Sequence, residues 1–78
     1  MTPAMQMIRQ IEAELRPQGV SVARVCREAA LDRTIWHRWK MGGALPRRSS
    51  WQAARAVLLR YLDQVPEEVP APVSAEPA

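Results

Sequence analysis

The stretch Val22–Gly43, VARVCREAALDRTIWHRWKMGG, decides how this chain folds. It holds two of the three tryptophans, the only histidine and the only cysteine, with arginine and lysine scattered among them. At about 100° per residue, Val22, Val25, Cys26 and Ala29 share one helix face, while Arg24, Arg27 and Glu28 lie on the other. Ser21 or a neighbour caps that first helix. Asp32, a strong N-cap residue, opens a second helix over Arg33 to about Met41. There Ile35, Trp36 and Trp39 fall within about 100° of one another. Arg33, Thr34, His37, Arg38 and Met41 cover the opposite arc. The indoles are therefore read as core, and the polar arc as solvent-facing.

Only Ala30 and Leu31, with the last Ala of the first helix, stand before Asp32. So tight a link with small residues at the bend is a helix-turn-helix arrangement. In it a second helix lies in the major groove of DNA with its early residues at base edges. Outside this stretch, Pro17 and Gly19, then Gly42, Gly43 and Pro46, then Pro66 punctuate the chain. The pair Thr2-Pro3 starts a helix running to about Leu15, with Ala4, Ile8, Ile11 and Leu15 along one stripe. A last helix begins at Ser49 or Ser50 and runs to about Leu62, with Trp51, Ala54, Leu58, Tyr61 and Leu62 inward. No segment alternates as an exposed strand does. The expected fold is all-α: a compact four-helix helix-turn-helix domain over residues 1–64. Residues 65–78, proline-rich and acidic, are expected to form a disordered tail.

With 78 residues the chain makes one small domain, in which each large side chain matters to packing. The formal charge of +3 conceals an asymmetry. Between Arg16 and Arg60 stand ten basic and two acidic residues, and from Asp63 onward four acids and no base. Arg33 to Arg48 holds five cations and no anion. Such a field favours a polyanion, nucleic acid above all. A lone Cys26 forms no internal disulfide and is read as a small buried hydrophobe. No apolar run approaches the roughly 20 residues that span a bilayer, and the N-terminus lacks the order of a signal peptide. The expected location is the cytoplasm, in association with the nucleoid, with no membrane partner.

The same 22 residues resemble the helix-turn-helix of the phage-repressor family, the Cro, lambda-repressor and XRE-like group. Cys26 takes the small position of the family's second helix and Ala30 its turn position, where Gly is usual. Asp32 matches the capping residue, Trp36 the buried aliphatic, Trp39 the typical Trp and Gly42 the helix-ending Gly. ALPRRSSW, residues 44–51, is similar to the Pro-containing link into the next helix. Val22 stands where many members carry a Gln that holds a phosphate or a recognition-helix side chain, so the resemblance implies no such contact from the start of that helix. Many members have five helices, against four read here.

The resemblance implies base contacts from Arg33, Thr34, His37 and Arg38. Arginine there can bond guanine O6 and N7 in bidentate fashion, and threonine can meet a thymine methyl or a phosphate. Lys40, Arg47 and Arg48 flank the glycine-rich exit of that helix, where phosphate contacts are expected; Arg24 and Arg27 are further candidates. His37 has no second His, Cys or acid at ligand spacing, so no metal is expected. No nucleophile–base spacing or phosphate-cradling loop suggests an enzyme, and no cofactor or small-molecule ligand is expected. The expectation is a sequence-specific regulator of transcription bound to double-stranded DNA, a homodimer of phage or prophage repressor type. Two other readings fit the same residues: a protein-interaction module or antirepressor on this fold, and a phage DNA-handling protein such as an excisionase or small packaging subunit.

Overall fold

The structure, a computed structural model, describes residues 2–70. Its elements are α1 (Pro3–Leu15), a 3-10 turn (Arg16–Gln18), α2 (Val22–Ala29), α3 (Arg33–Met41) and α4 (Arg48–Leu58). The regular elements among the described residues are all helical, with no strand. Each of the first three helices starts on a side-chain cap that satisfies an otherwise orphaned backbone donor. The Thr2 hydroxyl accepts from the Met5 N–H at 3.2 Å and the Ser21 hydroxyl from the Arg24 N–H at 3.1 Å. The Asp32 carboxylate accepts from the Thr34 N–H at 2.9 Å.

The same three segments also stop in the same way. Gly19, Ala30 and Gly42 all sit in the left-handed region, at φ 70°, 57° and 84°. After each, the chain folds back on the preceding helix: Val20 N–H donates to Leu15 O at 3.2 Å, Leu31 to Cys26 at 2.8 Å, and Gly43 to Arg38 at 2.8 Å. This is the Schellman closure of a helix C-terminus. Ala30 is the one residue of the three that carries a Cβ into that conformation, so the turn between α2 and α3 is formed against a local steric preference.

The core is a single cluster, and the apolar stripes expected from the sequence supply it. Ala4, Ile8, Ile11 and Leu15 of α1 are buried, as are Val25 and Cys26 of α2. Burial pushes the Cys26 thiol above its ordinary pKa, which keeps it neutral. Trp36 and Trp39 of α3 meet Trp51 of α4 in a row of indoles. Their ring centroids are 5.6 Å apart within α3 and 6.2 Å apart between Trp39 and Trp51, in tilted and edge-on contacts. In a chain without Phe, these three rings fill the volume that several smaller aromatics would otherwise take.

Two expectations need correction at the C-terminal end. Helix α4 begins at Arg48, not at Ser49 or Ser50, and Arg47 in the capping position makes no side-chain cap. It ends at Leu58 rather than near Leu62, because the chain tightens there. Arg60 N–H donates to Val57 O and Tyr61 N–H to Leu58 O, both at 3.0 Å. That tightening takes Tyr61 to Glu28 of α2, where its hydroxyl bonds the carboxylate at 2.8 Å, and still leaves Leu62 buried. Val57, which the sequence reading left out, is buried too.

The packed chain also continues past residue 64. Val65 is buried, Val69 packs against the core, and two side chains of α4 hold the backbone between them. The Arg55 Nε donates to Val65 O and the Trp51 Nε1 to Pro66 O, each at 3.1 Å. The remainder of the expected tail, residues 71–78, lies outside the described residues. No helix among the described residues is long and apolar enough to cross a membrane.

Candidate nucleic-acid interface

Helix α3 is held to the rest of the molecule by one face only. Trp36 and Trp39 are buried and Ile35 is half-buried. Glu12 of α1 adds a polar tie at the edge of this apolar contact. Its carboxylate accepts the Trp36 indole N–H at 2.7 Å and pairs with the Lys40 ammonium at 3.0 Å, with the Glu12 side chain only 12% exposed. A buried indole N–H needs such an acceptor, and the carboxylate makes the bond a charge-assisted one. Glu12 thus fixes both the position and the rotation of α3 about its axis.

With that rotation fixed, Arg33, Thr34, His37 and Arg38 all point away from the core and are exposed. Among the described residues, the side chains of Arg33, His37 and Arg38 make no hydrogen bond and no ion pair. Thr34 has a local role as well. Its backbone N–H and its hydroxyl both face the Asp32 carboxylate and hold that group below the usual carboxylate range.

Arg33, Thr34 and His37 line a cleft of about 430 Å³ together with Val22 and Ala23, at the first turn of α2, and with the Glu12–Lys40 pair. Arg38 lies apart from that cleft, its side chain beside Gly43 in the loop that follows α3. The four residues singled out for base contacts therefore share one exposed arc. They divide between its α2 side and its loop side.

The five residues singled out for phosphate contacts do not stand alike. Arg27, Arg47 and Arg48 are exposed, the last two at the start of α4. Lys40 is one-third exposed and committed to Glu12. Arg24 donates through Nε to Glu28 at 3.2 Å, with its guanidinium 5.4 Å from the centre of the Tyr61 ring. Glu28 also takes the Tyr61 hydroxyl and, at 3.5 Å, Arg60. These donors, Tyr61 foremost and then Arg24, hold the Glu28 carboxyl below its ordinary value. Lys40 and Arg24 thus serve the fold first, while Arg27, Arg47 and Arg48 keep their charge unspent.

Two acids that the sequence reading did not single out organise this surface. Glu12 had a visible signal: it falls about 40° from Ile8 on the helical wheel, at the border of an otherwise apolar stripe. Glu28 had none beyond its spacing four residues after Arg24, since its other partners come from beyond α4. Arg9 is a further cation beside α3, its Nη2 lying 3.7 Å from the sulfur of Met41. No family model, curated protein or solved structure matches this chain.

Proposed function

We propose that the protein binds double-stranded DNA sequence-specifically and regulates transcription, with α3 seated in a major groove. The observation that carries the reading is the division of α3. One face is locked by two buried indoles and the Glu12 carboxylate. The opposite arc presents two arginines and a histidine that no other described residue engages. Rigid presentation of unspent donors is what base readout requires, because each side chain must reach a base edge without first giving up an internal partner. The short turn from α2 supports it, as do Arg27, Arg47 and Arg48, exposed cations that can meet phosphates.

A single module of this size covers a small interface, so the protein acts as a homodimer on two half-sites. The resemblance of Val22–Gly43 to phage repressors makes a repressor of phage or prophage type, resident on the nucleoid, the specific form of the proposal. Selection of bound sites from a random duplex library with the purified protein tests all of this together. An enriched motif repeated with two-fold symmetry supports it. Recovery of no motif contradicts specific recognition, and a single unrepeated motif contradicts the dimer.

A further inference from the structure

The segment after α4 does not leave the molecule where its composition changes. It runs back along α4 toward that helix's N-terminus. Val65 is held by Arg55, Pro66 by Trp51, and Val69 reaches the cleft formed by Pro46, Arg48 and Trp51. The anchors are backbone carbonyls and two apolar side chains. Glu67 and Glu68, between those anchors, are left exposed. Both glutamates share two adjoining clefts with Arg48, of about 350 and 270 Å³. Neither closes an ion pair with it, since the ion pairs among the described residues are those of Glu12 and Glu28.

We infer that Val65–Pro70 is an acidic strap that competes with a polyanion for the cationic start of α4. This inference rests on the DNA-binding reading, and the competitor it names is a phosphate backbone. The strap's apolar and carbonyl anchors hold the two carboxylates beside Arg48, and next in sequence to Arg48 is Arg47. A phosphate approaching that end of α4 meets two fixed negative charges within about one Debye length of the arginines that would receive it. No tight ion pair has to be broken, so the strap sets the affinity without closing the site. Its effect is electrostatic and depends on salt.

Fluorescence anisotropy with a labelled random-sequence duplex tests the strap, using the full chain and its Glu67→Gln/Glu68→Gln variant. A second variant, Glu14→Gln/Asp63→Asn, makes the same change in net charge in a groove between α1 and the segment Tyr61–Pro66, which Arg48 does not line. The strap variant binds about fivefold tighter than the parent at about 50 mM salt, and the gain shrinks toward unity as salt is raised. The Glu14/Asp63 variant stays close to the parent, and Arg48→Ala removes most of the gain from the strap variant. Equal affinities of parent and strap variant overturn the strap while leaving DNA binding in place. An equal gain from the Glu14/Asp63 variant also overturns it, by showing a bulk charge effect. Failure of every protein to bind any duplex overturns the DNA-binding reading and the strap with it. Matched thermal melting curves establish that all the variants are folded.

Discussion

Replacing Glu12 by alanine removes the polar tie between α1 and α3, and the structure gives the size of the loss. The Trp36 side chain is 2% exposed and its indole N–H has the Glu12 carboxylate as its partner at 2.7 Å. An orphaned buried donor costs about 1–3 kcal/mol. Lys40, one-third exposed, can turn its ammonium to water, so its share of the loss is below about 1 kcal/mol. Alanine returns about 0.4 kcal/mol through its better helix propensity in α1. The net expectation is a destabilisation of about 2 kcal/mol, a large part of the roughly 5 kcal/mol that holds a domain of this size. Glu12→Gln keeps an acceptor oxygen for the indole and costs about half as much. Urea unfolding followed by far-ultraviolet circular dichroism measures both. On a Trp36→Phe background, which has no indole N–H, Glu12→Ala costs at least about 1 kcal/mol less than in the parent. A Glu12→Ala protein within about 0.5 kcal/mol of the parent would show that this tie contributes little, as would a glutamine variant no better than the alanine one.

Other expectations follow from the helix ends and from two carboxylates. Ala30→Gly relieves the left-handed strain at the α2–α3 turn and stabilises the chain by about 1 kcal/mol, seen as a melting temperature higher by about 4–8 °C. Gly42→Ala does the reverse at the end of α3. Its φ of 84° disfavours a side chain, and the new Cβ would stand 2.7 Å from the Met5 sulfur, so a melting temperature lower by several degrees is expected. Asp32 and Glu28 have folded pKa values below the ordinary carboxylate range. Their contribution is therefore present above the unfolded value, about pH 4, and is lost as pH falls through the folded values. An Asp32→Asn/Glu28→Gln protein accordingly shows a shallower acid limb than the parent in stability measured against pH.

The fold was legible wherever the signal was local. Thr2, Ser21 and Asp32 are residue types that a sequence announces as helix caps, and each of them caps its helix. The stripes of α1 and α3 were legible because a helix of two and a half turns or more displays its period. The end of α4 was not, since Tyr61 and Leu62 continue the apolar period while the backbone tightens after Leu58. What draws Tyr61 aside is Glu28, on another helix and 33 residues away. The packing of Val65 and Val69 was hidden for a similar reason. Proline and glutamate around them suggested a segment that could not bury itself, yet α4 offers it two side-chain donors and an apolar groove. On the candidate interface, the exposed arc of α3 could be read from periodicity. Which cations remain unspent was legible only in part: Glu28 stands four residues after Arg24 on the same helix, while Lys40 is neutralised by Glu12 of α1, which only three-dimensional packing brings near.

On the proposed function, the exposed arc of α3 reads bases rather than merely attracting phosphate. This is tested most directly by comparing affinity for the selected site with affinity for random duplex, in the parent and in Arg33→Ala and Arg38→Ala proteins. Each substitution is expected to lower affinity for the selected site by about 1–3 kcal/mol while changing random-duplex affinity far less, so the ratio between them collapses. An unchanged ratio in both variants would contradict it, and α3 would then be a charged surface without a code.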